Sequence, residues 1–253
     1  MRSTLVVLLA CLSLFAAAEA VAGDRSVIGR SVEGRPIVGV RSGAPGAAVK
    51  VLVVGDVHGD EPAGMRVARR LIRAGAPPRT QLVVVPTVNP DGVAAHTRGN
   101  AHGVDLNRNF PFRWQPLGGG EYSGPRPLSE PESRVAFHLI LRERPAVTIW
   151  FHQPFGLVDR PSGNPFAARR YAQLSGLPLV RLRGPYPGSA SRWQSHRLPG
   201  TTAFVVELPA KVGTALVQRG AAAVRALAAD LASPAVDPAV PAGRRASATS
   251  RRP

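Results

Sequence analysis

The chain has 253 residues, a length that suits one domain of ordinary size with a substantial core. Its basic residues outnumber its acidic ones by 32 to 16, which gives a formal net charge of +16, and all but two of the basic residues are arginine. No basic run is interleaved with aromatic residues, so the sequence predicts no nucleic-acid binding. An arginine-rich solvated surface explains the charge, and loose contact with an anionic cell wall is the alternative.

The N-terminal segment, residues 1–22, predicts a secretory signal peptide. Arg2 precedes an apolar run at 5–18, and small residues at 18–22 offer cleavage sites. The run is too short to span a membrane as a helix, which favours cleavage over a retained anchor or lipid attachment at Cys11. Export therefore follows as an expectation, to a secreted, periplasmic or cell-wall location. Loss of Cys11 would also exclude disulfides and a thiolate zinc site from the mature chain.

The segment 23–232 alternates predicted strands and helices and forms the predicted catalytic domain. The predicted strands are a hairpin over 26–40 that turns at Glu33-Gly34, apolar runs at 49–54, 81–88, 146–151 and 202–206, and a short piece at 179–182. The predicted helices cover 62–73, 129–142, 166–174 and 212–231, the second with a capping box from Ser129 to Glu132. This alternation is typical of a three-layer α/β/α domain with a mainly parallel mixed sheet. Residues 233–253, rich in Pro, Ala, Ser and Arg, predict a disordered tail.

Polar side chains follow the ends of four predicted buried strands. They are His58, Asn89, His152 and Glu207. Ligands of open α/β sheets bind at the carboxyl ends of the strands, so we expect these residues on one rim.

Three residues of this rim predict one zinc ion per chain. His58 and Glu61 are three positions apart at a strand-to-helix turn, and His152 ends another strand. Two His and one Glu leave the fourth tetrahedral position open, as a catalytic zinc site requires. Each histidine alone could equally be a hydrogen-bonding loop residue, so the prediction depends on their shared rim.

Four further residues are candidates for the chemistry. Asp105 could fix a ligating histidine, or bond its own turn. Arg98 and Arg108 could bind an oxyanion and a substrate carboxylate, or lie on the surface. Glu207 follows an apolar strand and could act as the general base, or form a buried ion pair with an arginine.

Together these residues resemble the zinc carboxypeptidase family, which includes carboxypeptidase A. The similarity runs from about residue 26 to 231 and is carried by a segment at 31–37, His58-x-x-Glu61, Asn89-Pro90-Asp91-Gly92, Arg98, the segment 105–110, His152 and Glu207. The resemblance implies a carboxypeptidase-like fold, zinc bound by His58, Glu61 and His152, and Glu207 as the general base.

It further implies that Arg98 polarises the scissile carbonyl, that Asn107 and Arg108 bind the substrate's terminal carboxylate, and that Asp105 supports His58. The segments 103–111 and 186–189 are similar to the branch of the family that cuts the γ-D-glutamyl–diaminopimelate amide of cell-wall peptides. Tyr186 precedes Glu207 by an interval similar to that in the family, which implies that it is the family's mobile active-site tyrosine.

The expected function is that of an exported, monomeric zinc hydrolase that acts on a peptide or muramyl peptide next to a free carboxylate. Because that branch works on recycled peptide in the cytoplasm, the predicted export is a departure from it. Asp159 is a candidate partner for the side-chain amine of diaminopimelate, or a turn residue. The alternatives are a broader metallocarboxypeptidase, a non-catalytic binding module of the same fold, and a deacylase of small acylated amino acids.

Overall fold

The computed structural model describes residues 23–161 and 164–233, which contain eight strands and six α-helices. The strands are β1 (Asp24–Arg30), β2 (Pro36–Gly43), β3 (Val49–Val54), β4 (Thr80–Val85), β5 (Val147–His152), β6 (Phe155–Asp159), β7 (Leu179–Val180) and β8 (Thr202–Pro209). The helices are α1 (Ala63–Ala74), α2 (Pro90–Ala95), α3 (Pro131–Glu143), α4 (Phe166–Ser175), α5 (Ala190–Arg197) and α6 (Thr214–Leu231). The predicted signal peptide lies outside the described residues, as does the predicted tail beyond residue 233.

All eight strands form one sheet in the order β1-β2-β4-β3-β5-β8-β6-β7. The four central strands, β4, β3, β5 and β8, are parallel, whereas β1, β2 and β6 pair antiparallel to their inner neighbours. Every residue of β4 and β5 is buried, as expected for parallel strands that helices cover on both faces. The prediction of a mainly parallel mixed sheet is confirmed.

Helices cover both faces of this sheet and give the three predicted layers. Alternate side chains of β3 and β5 point to opposite faces, which follows from the two-residue period of a strand. Val53 and Ile149 pack with α1, α4 and α6, whereas Leu52 and Trp150 pack with α3 and α5. Within the described residues, no helix is both long and apolar enough to cross a membrane.

The predicted capping box of the second long helix is wrong. The residue before α3 is Glu130, which makes no side-chain cap. Ser129 Oγ instead donates to the Glu130 carboxylate at 2.7 Å, and the Glu132 carboxylate accepts the backbone N–H of Val32 at 2.9 Å. The two residues of the Ser-x-x-Glu pattern therefore have other partners: Ser129 bonds its chain neighbour, and Glu132 ties α3 to the β1–β2 turn.

Two close contacts between glycines hold the loop that follows β3. A Cβ atom on Gly64, in the first turn of α1, would lie 1.9 Å from the carbonyl oxygen of Gly55. A Cβ atom on Gly59 would lie 1.9 Å from the backbone of Gly92 in α2. Only glycine permits such approach, so this loop is pressed against both α1 and α2 at the carboxyl edge of the sheet.

Candidate metal centre

Two neighbouring strands carry the three predicted zinc ligands to one point. The loop after β3 holds His58 and Glu61 in a turn in which Glu61 N–H donates to the His58 carbonyl at 2.8 Å. His152 is the last residue of β5, which pairs with β3 in parallel. The shared rim expected from the strand ends is therefore present in the structure.

The ligand atoms of these residues face one another as they would around a metal. His58 Nδ1 lies 2.9 Å from Glu61 Oε1, His152 Nδ1 lies 3.1 Å from Glu61 Oε2, and the two Nδ1 atoms are 3.2 Å apart. Tetrahedral zinc with Zn–N bonds of about 2.0–2.1 Å holds its nitrogen ligands about 3.3 Å apart. The donor set and its spacing thus fit zinc, and all three residues line one cavity.

The far side of the His58 ring is fixed by Asp105. His58 Nε2 lies 3.0 Å from Asp105 Oδ1, and Asp105 is fully buried. Burial opposes ionisation, yet the His58 hydrogen bond and the nearby Arg98 hold the pKa of Asp105 well below its usual range. A charged Asp105 keeps the proton on Nε2 and leaves Nδ1 free to bind metal. Burial also lowers the pKa of His152, which favours the neutral imidazole that a metal needs.

Glu207 lies beside His152 because β8 and β5 pair in parallel, with these two residues as partners in the register. Its side chain is largely buried, and Oε2 has no hydrogen-bond partner within the described residues. Burial, followed by the charge of Glu61, raises the pKa of Glu207 to about 7. A carboxyl group with that pKa can take and give a proton near neutral pH.

Arg98 contacts two carboxylates of the site, those of the predicted ligand Glu61 and of Asp105. Its Nε and Nη2 atoms lie 3.0 and 2.9 Å from Asp105 Oδ2, and its Nη1 lies 3.1 Å from Glu61 Oε1. About a third of the side chain, 34%, remains exposed. The predicted oxyanion residue is therefore at the site, and its guanidinium is shared with the residues that hold the metal ligands.

One cavity of about 390 Å³ unites the predicted site residues. Its walls include His58, Glu61, His152, Glu207, Arg98, Asn107, Arg108, Tyr186 and Asp159. Asp105 lies behind His58 and does not line the cavity. The structure thus gathers every predicted metal, catalytic and substrate-binding residue around one space.

Arg108 is buried at the end of a 3-10 turn (Leu106–Arg108), and part of its hydrogen-bonding capacity is unused. One Nη atom donates to the Asn107 carbonyl at 3.1 Å, the other pairs with Glu121, and Nε has no partner within the described residues. Its guanidinium lies 5.6 Å from the centroid of the Tyr186 ring. The Glu121 carboxylate is thus paired with one nitrogen of the guanidinium that we predicted from the sequence to bind a substrate carboxylate.

Gln153 was not predicted, although it links the parts of the site. Its backbone N–H donates to Glu61 Oε2 at 3.1 Å, its side-chain oxygen accepts from Ala63 N–H at 2.9 Å, and its amide nitrogen donates to the Pro209 carbonyl at 3.0 Å. A glutamine after a strand carries no signal of such a role. Arg192 and Glu121 also line the cavity and were missed, because α5 and the turn at 119–121 lack a recognisable pattern.

These features meet in a recognised class of metalloenzyme, and the chain belongs to the zinc carboxypeptidase family, whose model matches residues 10–164. It is therefore a zinc-dependent metallopeptidase or amidase by family. The match ends before Glu207, so the place of Glu207 in the site rests on its register with His152.

Among curated proteins, murein peptide amidase A of Escherichia coli (strain K12) is 34% identical over 181 residues, which cover 65% of this chain and 74% of that protein. Murein peptide amidase A of Vibrio campbellii is 32% identical over 201 residues, which cover 72% and 77%. The crystal structure of murein-tripeptide amidase MpaA from Escherichia coli O157 superposes with a TM-score of 0.67 at 28% identity, over 84% of this chain and 95% of that one. Carboxypeptidase A from Helicoverpa armigera shares the fold, with a TM-score of 0.71 at 19% identity, over 83% and 68%.

Proposed function

We propose that this protein is an exported zinc hydrolase that cleaves the γ-D-glutamyl–diaminopimelate amide of cell-wall peptides. The observation that carries the proposal is the single cavity in which the metal cluster and Glu207 share a wall with the buried guanidinium of Arg108. That arrangement suits an amide whose leaving amino acid carries a free carboxylate. Its similarity to murein peptide amidase A supports the cell-wall peptide as the substrate.

His58, Glu61 and His152 would hold the zinc. When bound, zinc supplies Lewis acidity that activates a water molecule and polarises the scissile carbonyl. Glu207 takes a proton from the attacking water and passes it to the nitrogen of the leaving amino acid. Burial raises the pKa of Glu207, which favours return of the proton to the leaving group.

Two arginines bind two different negative charges of the substrate. Arg98 lies against Glu61 and is partly exposed, so its guanidinium can stabilise the oxyanion that develops on the carbonyl. Arg108, with Asn107, would bind the free α-carboxylate of the leaving residue in a bidentate fashion. The substrate carboxylate would take the place of Glu121, whose side chain is 55% exposed and free to turn into solvent.

A broader carboxypeptidase acting on ordinary peptides is the second candidate, and one observation favours it. Phe155 lines the cavity and is 65% exposed, so an apolar substrate side chain could pack against it.

The decisive comparison uses two tripeptides that share their first residues and end in γ-D-glutamyl–diaminopimelate or in an ordinary peptide-linked phenylalanine. We expect the zinc-loaded enzyme to release diaminopimelate and to leave the phenylalanine peptide uncleaved. Arg108→Lys should lower kcat/KM for the first peptide by at least ~10-fold, because a lysine cannot form the bidentate pair. A clear preference for the phenylalanine peptide would reject the cell-wall substrate and select the second candidate.

A further inference from the structure

A pair of opposite charges, neither of them on a predicted zinc ligand, lines the metal cavity. Asp159 is the last residue of β6, and Arg192 lies in α5. Both line the metal cavity, and both also line a second cavity of about 650 Å³ that adjoins it. Two separate elements therefore bring a carboxylate and a guanidinium to the boundary between the two spaces.

Among the described residues, only one of the two carboxylate oxygens of Asp159 accepts a hydrogen bond. Its Oδ1 accepts the backbone N–H of Leu182 at 2.9 Å, and within the described residues no basic group lies within 4.0 Å of its carboxylate. Partial burial raises the pKa of Asp159, and the charges of Arg192 and Arg181 oppose that rise. The carboxylate is thus oriented by one backbone bond, and it forms no direct ion pair among the described residues.

Arg192 is oriented in a similar way and also lacks a carboxylate partner in the described part of the chain. Its guanidinium stacks over the Tyr186 ring at 4.7 Å from the centroid, and Nη1 donates to the Gly184 carbonyl at 3.0 Å. The remaining N–H groups form a fixed fork that suits a carboxylate. Because Arg108 contacts the same ring at 5.6 Å, Tyr186 is next to two guanidinium groups.

We propose that Asp159 and Arg192 together bind the distal amino-acid centre of the diamino acid, Asp159 its ammonium group and Arg192 its carboxylate. The inference rests on the proposed function, in which Arg108 binds the other carboxylate of the same residue. Diaminopimelate carries an ammonium and a carboxylate on one carbon at the end of its side chain. Lysine has only the ammonium, and 2-aminopimelate has only the carboxylate, so each would leave one of the two protein charges unpaired.

The charges around the pair explain why an acid is needed there. The second cavity is lined by Arg113, Arg160, Arg181, Arg183 and Arg192, and among its described lining residues Asp159 is the one acid. A positive field of this kind attracts carboxylates and repels an ammonium group. Asp159 supplies the local negative charge that lets the ammonium of a zwitterion bind in basic surroundings.

The test compares three tripeptides that differ only in the residue after γ-D-glutamate, which is meso-diaminopimelate, L-lysine or L-2-aminopimelate. We expect the zinc-loaded wild-type enzyme to prefer diaminopimelate by at least ~10-fold in kcat/KM over either analogue. Arg192→Gln should remove the preference over lysine, and Asp159→Asn the preference over 2-aminopimelate. Each change should raise KM more than it lowers kcat, because these charges bind the ground state and the transition state alike.

Arg69→Gln is the matched control, since Arg69 is exposed on α1 and lines neither cavity, and it should keep all three rates. Asp159→Asn retains an acceptor for the Leu182 N–H, and circular dichroism would verify its fold. Equal rates for the three peptides with wild-type enzyme would overturn the assignment of the pair and leave the proposed reaction standing. An equal loss on all three peptides in Arg192→Gln would also overturn it. Failure of the wild-type enzyme to cleave any of them would overturn the proposed function itself, and this inference with it.

Discussion

The chemistry of individual residues in this site depends on which neighbour the sheet gives them. Glu207 and His152 are partners in a parallel register, so a carboxylate is held beside a metal ligand with one oxygen free of hydrogen bonds among the described residues. Burial raises the pKa of Glu207 to about 7, whereas Glu61, bonded by two histidines, stays ionised because those bonds outweigh burial and lower its pKa. Two glutamates at one site thus suit opposite tasks, proton transfer and metal binding.

Replacing Glu207 by Gln should lower kcat by at least ~100-fold and leave zinc content unchanged, because the amide keeps the size of the side chain and cannot accept the proton. The general base must be ionised, so wild-type activity should rise as the pH increases through the pKa of Glu207. The zinc charge lowers that pKa, which places the acid limb of the holoenzyme below about 7. Rate–pH profiles and metal analysis are the measurements.

His152→Ala is the matched control for this experiment, and it should lose both zinc and activity. A near-normal rate in the Glu207→Gln variant would show that Glu207 is structural. Full zinc occupancy in His152→Ala would contradict the assignment of the metal ligands.

At the residue level, the sequence predicted the cluster of His58, Glu61 and His152 because ligands placed at strand ends must converge on one rim. It did not predict that Arg108 is paired with Glu121, which lies in a short turn inside a loop without periodic pattern. Such pairings depend on the path of the loop, which local sequence does not determine.

At the level of secondary structure, the C-terminus of α3 is tied to two strands through one side chain. Glu143 is the last residue of α3, where the helix dipole disfavours a negative charge. Its carboxylate lies 2.8 Å from Arg41 Nη2 in β2 and 2.8 Å from Lys50 Nζ in β3. Burial opposes ionisation, but the hydrogen bonds from Lys50 and Arg41 prevail and lower the pKa of Glu143 to about 2.

Glu143→Gln should therefore reduce the free energy of unfolding by about 2 kcal/mol at neutral pH. Because the pKa is lowered in the folded state, the stabilisation is complete above the ordinary value of 4.5 and disappears as the pH falls through about 2. Urea unfolding at pH 7 and pH 3 should show a larger difference between variant and wild type at pH 7. Glu33→Gln, which breaks an exposed pair with Arg35, is the control and should have little effect. A difference that grows on acidification would refute this account.

The long elements were predictable, and the short ones were not. Residues 49–54, 81–88, 146–151 and 202–206 are nearly continuous runs of apolar, mostly β-branched side chains, and they form β3, β4, β5 and β8. The helix α2 has only six residues, begins at a proline and has Asn89 as its N-cap. It is too short to show the periodicity that predicts a helix. β6 begins with an exposed Phe155 and a glycine, which do not predict a strand. It forms one because it pairs antiparallel with β8. Tertiary context decides such segments.

At the level of the whole molecule, part of the positive charge is concentrated around one cavity, which composition alone could not show. Five arginines of the second cavity come from four separate segments of the chain, so their proximity depends on the fold. The fold therefore places several arginines beside the active site, where they can attract a small anionic ligand.

Export is predicted by the segment before the first strand. Because β1 begins at Asp24, cleavage before Val21 or Gly23 would leave the whole sheet in the mature chain. We expect N-terminal sequencing of the secreted or envelope fraction to give one of these two starts. Ala20 is a small residue common to both cleavage sites, so Ala20→Arg should retain the precursor. Recovery of intact Met1 from the cytosol alone would rule export out.

The order of the strands places the catalytic residues and the residues proposed to select the substrate in different parts of the sheet. The metal ligands and Glu207 belong to β5, β8 or the loop after β3, in the middle of the sheet, where we expect amide protons to exchange with solvent chiefly through global unfolding. Asp159 ends β6, which pairs with the edge strand β7, whose two residues form a short ladder that can open locally. Mild heating, short of global unfolding, should therefore reduce the preference for diaminopimelate over its analogues before it reduces catalytic activity.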